Sequence, residues 1–552
     1  METKTALTNI AAYLPEMARR LPLAPAVYFP QGRDRRGRVA YTHYTFAQLD
    51  RESNRIALGL EAVGIRRGTR TVLMVPPSLD FFALTFALFK VGAVPVLVDP
   101  GMGVINLKVC IAEAEPEAFI GIAKAHVARQ LFGWSKESLR ILLTVGRRLG
   151  WGGKSLDDFD AYPTDYAMAA TAPEETAAIL FTSGSTGVPK GAIYSHGNFL
   201  AQVEMLRSLY GIEPGEIDLP TFPLFALFAP ALGMTSVIPD MDFTRPGSVD
   251  PRKIITAIES FGVTGMFGSP ALINRVGRYG QAQGTRLPSL RRVISAGAPV
   301  PAQVLERFAG MLDDTARIHT PYGATEALPV CSIDHREILD RTRALTDQGR
   351  GVCVGRPVPG IAVEVIAIDD GPIAGWDESL KVADGVIGEI VVKGPQVTTA
   401  YINRPESTDL AKIADPEGGF YHRMGDLGYR DAEGRLWFCG RKAHRVVTQD
   451  ATLFTIPCEA IFNTHPQVFR SALVGIGEPG RQRPVICIEL EKGVAKSEHP
   501  RLRRELLDLG ARHELTAGIR DLLFHPAFPV DIRHNAKIFR EKLAVWAQEQ
   551  RR

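Results

Sequence analysis

Cysteine is scarce in this sequence, and no pair of cysteines has the spacing of a metal-binding or redox motif. The 552 residues include 6 cysteines, which are Cys110, Cys331, Cys353, Cys439, Cys458 and Cys487. Without a Cys-x-x-Cys pair, the sequence gives no support for a structural zinc site. The wide spacing is also unlike the dense disulfide frameworks of small secreted proteins. We therefore expect reduced and mostly buried thiols.

A strong excess of one charge is also missing. The chain carries 64 Lys and Arg residues against 61 Asp and Glu residues, for a formal net charge of +3. This near-balance argues against a nucleic-acid partner and against a patch for an anionic membrane. The N-terminal Met-Glu-Thr-Lys-Thr lacks the basic-then-apolar layout of a signal peptide, so we expect a cytoplasmic location. Small-molecule chemistry fits this composition best.

Long uncharged runs are rare, and the one at residues 219–239 needs a test because it is long enough to span a bilayer. Several prolines interrupt it, and Asp218 and Asp240 flank it where a membrane span would have lysine or arginine. We therefore expect no transmembrane span. The run is interpreted as an apolar wall beside an apolar substrate, or as part of the hydrophobic core.

The chain is long enough for about two to four folding units. Thr45 and Gln48 have the pattern of a capping box that begins a helix. Strand, helix and strand patterns alternate at 71–75, 79–91 and 94–98 and return at 262–294, as in parallel sheets covered by helices. We predict an α/β fold: an N-terminal domain at 1–439 with two parallel-sheet α/β subdomains and a small β-barrel-like subdomain at about 355–439, then a small α+β domain at 440–552.

The segment 182–191, Thr-Ser-Gly-Ser-Thr-Gly-Val-Pro-Lys-Gly, lies between the apolar strand patterns at 177–181 and 192–194. Its glycines permit close approach of the backbone, whose N–H groups can bind an anion. The order of residues is not the Walker pattern, so an ordinary kinase or GTPase is disfavoured. The segment predicts a nucleotide site with these candidate residues: Thr182, Ser183, Gly184, Ser185, Thr186, Gly187 and Lys190.

This loop resembles the phosphate loop of the adenylate-forming superfamily, which includes acyl-CoA synthetases, luciferases and peptide-synthetase adenylation domains. Further segments resemble that superfamily's motifs in the same order: 296–299, 322–326, 425–426, 440–441 and 529–538. The resemblance covers most of the chain. It implies an N-terminal AMP-binding domain, a mobile C-terminal lid domain, and ATP and Mg²⁺ as cofactors.

The resemblance also implies how the nucleotide base is held. The turn that contains Gly297, Ala298 and Pro299 is similar to the turn that lines adenine in the superfamily. In the Tyr-Gly-Ala-Thr-Glu segment, Tyr322 corresponds to the tyrosine that packs on adenine, and Gly323 beside it is a further candidate nucleotide-binding residue.

For the phosphates, the ribose and the metal, the resemblance implies further roles. Thr325 reaches the α-phosphate, and Glu326, with Thr186, holds magnesium. Asp426 accepts the ribose hydroxyls, and Arg441 contacts ribose and phosphate. Near the C-terminus, Lys537 bridges the attacking carboxylate and the α-phosphate and stabilises the charge that moves between them.

Three departures distinguish this chain from relatives that use coenzyme A. Ala443 occupies the position of the hinge aspartate or lysine, and residues 446–457 lack the glycine that lets pantetheine pass. Ala226 stands where many relatives carry a histidine. These departures weigh against coenzyme A as the acyl acceptor.

With these departures, the chain resembles the β-lactone synthetases of bacterial long-chain olefin biosynthesis. This implies ATP-dependent activation of a 2-alkyl-3-hydroxy fatty acid, followed by attack of its own hydroxyl to give a β-lactone, AMP and pyrophosphate. It also implies other olefin-pathway enzymes as partners. His196 and His319 flank nucleotide motifs and are candidate bases for the hydroxyl, although a structural role is favoured for each.

Two alternatives remain open. A long- or medium-chain fatty acyl-CoA synthetase would share the first step. A catalytically silent adenylate-binding sensor belongs to another class, and the presence of both Glu326 and Lys537 argues against it.

Overall fold

The structure is a computed structural model that describes residues 8–181, 189–530 and 537–550. Its strands are β1 Pro25–Arg33, β2 Val39–Thr45, β3 Arg70–Met74, β4 Val94–Leu97, β5 Ala118–Ile122, β6 Ile141–Val145, β7 Lys154–Ser155, β8 Thr176–Phe181, β9 Gly191–Ser195, β10 Ile217–Pro220, β11 Thr235–Val237, β12 Gly265–Phe267, β13 Arg292–Ile294, β14 Arg317–Ala324, β15 Ala327–Asp334, β16 Val352–Pro357, β17 Ala362–Ile366, β18 Gly388–Lys393, β19 Lys412–Ala414, β20 Phe420–Arg430, β21 Leu436–Arg441, β22 Val446–Val447, β23 Thr452–Leu453, β24 Val468–Ile476, β25 Arg483–Leu490 and β26 Asp521–Phe524.

The α-helices lie between these strands in chain order. They are α1 Tyr13–Arg20, α2 Phe46–Ala62, α3 Leu79–Val91, α4 Val104–Ala114, α5 Ala123–Phe132, α6 His196–Tyr210, α7 Pro223–Ala226, α8 Phe228–Leu232, α9 Pro251–Phe261, α10 Pro270–Gln283, α11 Ala302–Ala309, α12 His335–Glu337, α13 Arg343–Asp347, α14 Pro405–Ala411, α15 Thr455–Phe462, α16 His499–Ala511 and α17 Arg540–Glu549.

The first sheet has the strand order β7-β6-β5-β3-β4-β8-β9 and is parallel except for the β8–β9 pair. One face packs on α2 and α3, and the other packs on α4 and α5. Because both faces are covered by helices, the strands are almost continuously apolar, which is the pattern that the sequence shows.

The second sheet begins with β2-β1-β11-β10-β12-β13-β14 and is parallel from β1 to β14. It continues through the antiparallel strands β15-β16-β21-β20-β18-β17. The part that the sequence predicts to be barrel-like consists of these antiparallel strands. In the described residues they form an open row that continues the second sheet. Two parallel sheets covered by helices confirm the predicted α/β fold class.

The C-terminal region has a separate small sheet, β24-β25-β26, with α15, α16 and α17 around it. Apolar clusters lie on both faces of this sheet. The predicted domain boundary at 440 falls inside β21, the last strand of the second sheet. That boundary stays a prediction.

Residues 219–239 fold as β10, α7, α8 and β11. Their prolines begin or interrupt short helices, because proline removes a backbone donor. Of the helices in the described part of the chain, none has the length and apolar character needed to cross a membrane.

Helix α2 begins with the predicted capping box. The Thr45 hydroxyl accepts a hydrogen bond from the Gln48 N–H at 3.2 Å, and the Gln48 side chain accepts one from the Thr45 N–H at 2.8 Å. Thr45→Ala is expected to lower the free energy of unfolding by ~1 kcal/mol, because a backbone donor at the helix start loses its partner. Chemical denaturation measures this change. Thr45→Ser keeps the hydroxyl, and equal losses in both variants would contradict the capping role.

Candidate active site

One cavity of about 2120 Å³ lies at the carboxyl ends of the parallel strands of both sheets. Ligand sites in α/β proteins form at these ends. The C-terminal region closes part of it, since residues of α15 and Lys537 also line the cavity. Every predicted site residue that the structure describes lines it: Lys190, Gly297, Ala298, Pro299, Tyr322, Gly323, Thr325, Glu326, Asp426, Arg441 and Lys537. Thr182, Ser183, Gly184, Ser185, Thr186 and Gly187 lie outside the described residues.

Asp426 and Arg441 face each other because they are paired across the antiparallel strands β20 and β21. The Tyr322 hydroxyl donates to Asp426 Oδ2 at 2.8 Å. Arg441 Nη1 donates to the Met424 carbonyl at 2.9 Å and lies 3.2 Å from Asp426 Oδ1, without the geometry of a hydrogen bond. Oδ1 is buried and accepts no hydrogen bond from the described residues, so it can accept a ligand hydroxyl.

The charge around Asp426 is set by burial and by four neighbours. Burial and the charge of Glu326 raise the pKa of the Asp426 carboxyl, whereas Arg441, the Tyr322 hydroxyl and Lys537 each act to lower it. Two cationic side chains from different parts of the chain therefore act on one carboxylate. This arrangement brings Lys537 into the same site as the Asp426–Arg441 pair.

Thr325 and Glu326 occupy the tight turn between β14 and β15. The Tyr194 hydroxyl donates to the Thr325 carbonyl, and the Thr398 N–H donates to the Glu326 carbonyl at 2.9 Å. The Tyr401 hydroxyl donates to Glu326 Oε1 at 2.7 Å. These bonds fix the turn and orient the carboxylate of Glu326 at the cavity wall.

Lys190 and Glu326 lie near the same tyrosine. Lys190 Nζ is 5.0 Å from the centre of the Tyr401 ring. Burial lowers the pKa of Lys190, and the charge of Glu326 opposes this shift. A cation over the Tyr401 ring and a carboxylate at its hydroxyl suit an anionic ligand that arrives with a metal ion.

The donor set at Glu326 fits magnesium that arrives with phosphate. Magnesium is usually held by one or two carboxylates together with waters and substrate phosphates. Across residues 8–181, 189–530 and 537–550, the structure has no group of three or more His, Cys, Asp and Glu side chains arranged to bind a metal. A single oriented carboxylate therefore matches this mode of binding better than a complete protein cage.

Tyr401→Phe is expected to lower metal-dependent activity roughly 10-fold, because a group that orients a metal ligand is lost. The measurement is the rate of pyrophosphate release across a magnesium titration. Tyr429→Phe is the control, since the Tyr429 hydroxyl donates to the Arg350 carbonyl and Tyr429 does not line the cavity. A magnesium dependence that is the same in Tyr401→Phe as in the unaltered protein would remove Tyr401 from the site.

Lys537 is held in place by the residues that follow it. Ile538 is buried and forms a β-bridge with Val530. Arg540 then donates to both carboxylate oxygens of the buried Glu459, at 2.8 and 2.6 Å. Since a buried ion pair is costly to break, this contact fixes the segment that carries Lys537.

The sequence did not indicate Tyr194, Tyr401, Glu459 or Arg540. The hydrogen bond from Tyr401 to Glu326 joins residues that are 75 positions apart, and the bond from Arg540 to Glu459 joins residues 81 positions apart. No local spacing encodes such contacts, so only covariation between homologues could have signalled them.

The structure does not bring the two candidate histidines into the cavity, since neither lines it. His196 is buried, and its Nδ1 accepts a hydrogen bond from the Ile10 N–H at 3.2 Å. Burial lowers the pKa of His196 and of His319 to about 4 in each case. Their places outside the cavity lining agree with the structural role that the sequence favours, and that role stays a prediction.

The apolar segment 219–239 forms a wall of the cavity, as one of the two interpretations of the sequence proposed. Its lining residues are Phe222, Pro223, Leu224, Phe225 and Phe228. The Phe225 ring packs on Phe267 with centroids 4.4 Å apart. Such a surface favours an apolar ligand, because burying it removes hydrocarbon from water.

Known proteins resemble this chain over nearly its full length. The chain is 53% identical to an olefin beta-lactone synthetase of Xanthomonas campestris pv. campestris, with 99% of each chain covered. It is 53% identical to an olefin beta-lactone synthetase of Stenotrophomonas maltophilia, with 98% of each covered. The amide bond synthetase McbA from Marinactinospora thermotolerans superposes with a TM-score of 0.78 at 23% identity over 97% of this chain and 99% of that one, which supports the fold.

The sequence model of the AMP-binding enzyme family matches residues 14–402. This range includes both parallel sheets and the turn that carries Thr325 and Glu326. The chain therefore belongs to the AMP-binding enzyme family, as an adenylate-forming ligase with full-length relatives among the olefin beta-lactone synthetases.

Proposed function

We propose that the chain converts a 2-alkyl-3-hydroxy fatty acid and ATP into a β-lactone, AMP and pyrophosphate. The observation that carries this proposal is the 53% identity to two olefin beta-lactone synthetases over 98–99% of the chain. The apolar cavity wall beside the Asp426–Arg441 pair supports it independently.

In the first step a carboxylate oxygen of the acid bonds to the α-phosphorus of ATP as the bond to pyrophosphate breaks. The task of the protein is to neutralise charge and align the reacting atoms. Lys537 acts on the charge that moves between carboxylate and phosphate, and Asp426 and Arg441 hold the ribose. Glu326, together with Thr186 as the resemblance implies, would hold a magnesium ion, which would supply neutralisation of charge on the triphosphate.

In the second step the 3-hydroxyl oxygen bonds to the acyl carbon, releases its proton, and AMP leaves with the bonding electrons. The hydroxyl is tethered to the carbonyl that it attacks. Such tethering gives effective molarities of up to ~10⁵–10⁸ M, which helps to offset closure of a strained ring. No thiol has to enter, and this agrees with Ala443 at the position of the hinge aspartate or lysine.

The test is incubation with ATP, magnesium and a 2-alkyl-3-hydroxy acid, with and without coenzyme A. We expect pyrophosphate, AMP and a product one water lighter than the acid in both mixtures, identified by mass spectrometry. A thioester that requires coenzyme A, with no lactone, would instead identify an acyl-CoA synthetase. Absence of pyrophosphate with every acid would leave only the nucleotide-binding sensor.

A further inference from the structure

The cavity reaches both faces of the first sheet. Side chains alternate between the faces of a strand, so neighbouring residues at a strand end point to opposite sides. Leu73, Leu97 and Leu180 belong to the apolar cluster on the α2–α3 face, and Met74, Val98 and Phe181 belong to the cluster on the α4–α5 face. All six line the same cavity. The cavity therefore passes around the carboxyl edge of the sheet.

Two apolar arms result, one on each face. The first arm, on the α2–α3 face, continues to the wall at 219–239 and is lined by Leu73, Phe81, Leu97, Leu180, Phe199 and Phe228. The second arm, between α4 and α5, is lined by Met74, Val98, Leu107, Ala125, Ala128 and Trp134. The arms meet at the end of β8, where Leu180 lines the first arm and Phe181 belongs to the cluster of the second.

The second arm opens at the protein surface. Val104 lines the cavity and is 41% exposed, and the next residue, Ile105, is 81% exposed. Leu131, on the neighbouring helix α5, is 75% exposed. Lys124 and Asp99 also line this part of the cavity. An apolar channel with an apolar rim accommodates hydrocarbon along its length and lets a chain end emerge.

The cavity is larger than a usual single-ligand pocket, and its volume is shared between the nucleotide site and the two arms. Pockets for small molecules usually enclose ~300–1,000 Å³, and this cavity encloses about 2120 Å³. An acid that is branched next to its carboxyl group carries two hydrocarbon chains that diverge from one point. That shape matches two arms that diverge from one sheet edge beside the nucleotide site.

We propose that the second arm, between α4 and α5, binds the C2 alkyl chain of a C2-branched 3-hydroxy acid, while the first arm, which continues to the apolar wall at 219–239, binds the chain at C3. The proposal rests on the proposed function. It adds the subsite that selects acids with two alkyl chains over acids without a chain at C2. A straight 3-hydroxy acid needs only the first arm.

Ala128→Trp tests the proposal by filling the second arm. The measurement is kcat/KM for pyrophosphate release with two acids: a 3-hydroxy acid with long chains at both C2 and C3, and the same acid without the C2 chain. We expect a loss of at least ~10-fold for the branched acid, the scale of steric discrimination in apolar pockets. The straight acid should react as with the unaltered protein, which also shows that the variant folds.

Gln130→Trp is the matched control, because Gln130 is exposed on the same helix and does not line the cavity. It should react with both acids as the unaltered protein does. If Ala128→Trp lacks a cooperative thermal transition, Val104→Asp decides instead. That variant places a charge at the mouth of the arm, and Ile105→Asp is its control because Ile105 does not line the cavity.

The outcomes separate the two proposals. Loss confined to the branched acid supports the second arm. Turnover of the branched acid at the rate of the unaltered protein, in a folded Ala128→Trp variant or in Val104→Asp, overturns the arm and leaves the proposed function intact. Absence of pyrophosphate from the unaltered protein with both acids overturns the proposed function itself.

Discussion

Replacement of Lys537 by alanine is expected to slow adenylate formation by at least ~10²-fold, the scale on which loss of a transition-state charge partner acts. Lys537 lines the cavity, and its charge acts on the Asp426 carboxyl, which lines the same cavity. The contacts that position its segment, Ile538 in the core and Arg540 on Glu459, do not involve the Lys537 side chain. The fold and the affinity for ATP should therefore change little.

The test of Lys537 is ATP–pyrophosphate exchange together with equilibrium binding of ATP. Lys542→Ala is the matched control, since Lys542 is exposed on α17 and does not line the cavity. A variant that still binds ATP but exchanges pyrophosphate at least ~10²-fold more slowly supports the charge-stabilising role. Exchange at the normal rate in Lys537→Ala would remove this residue from the mechanism.

Replacement of Asp426 by alanine is expected to weaken ATP binding by ~10–100-fold, since hydrogen bonds to a charged group are worth ~1.5–3 kcal/mol. The loss has a second origin. Arg441 and the Tyr322 hydroxyl both depend on this buried carboxylate, and Asp426→Ala leaves them without it. Both residues line the nucleotide part of the cavity, so their displacement adds to the loss.

Comparison of ATP with 2′,3′-dideoxy-ATP makes the test of Asp426 specific. The unaltered protein should discriminate between the two nucleotides, and Asp426→Ala should bind them about equally. Asp415→Ala serves as a control, because Asp415 pairs with Lys393 at 2.5 Å and does not line the cavity. If Asp426→Ala prefers ATP over 2′,3′-dideoxy-ATP by the same factor as the unaltered protein, another group binds the ribose hydroxyls.

The sequence predicted the bounds of a helix well where both its start and its end carry a strong capping signal. The helix predicted at 79–91 has these bounds in the structure. Its start is capped by Ser78, which accepts from the Phe81 N–H, and its end is set by Gly92 at φ 75°, a conformation that glycine adopts without strain. The polar motifs at 322–326, 425–426 and 440–441 also converge as the resemblance implied.

The remaining features depend on contacts that no local pattern encodes. Continuous apolar strands that alternate with helices predicted that the first sheet is covered on both faces, but not that one cavity would join the two faces at the strand ends. The orientation of Glu326 depends on Tyr401, and the placement of Lys537 depends on Glu459. These pairings arise only when distant segments of the chain pack together.

Arg441 is the last residue of β21, and the chain runs from it directly into the segment that leads to the small C-terminal sheet. The guanidinium that lies against Asp426 thus tethers one end of that connector. The proposed ribose contact and the start of the connector therefore share one residue, Arg441. On this proposal, departure of the nucleotide acts directly on the start of the connector, without a separate relay through the protein.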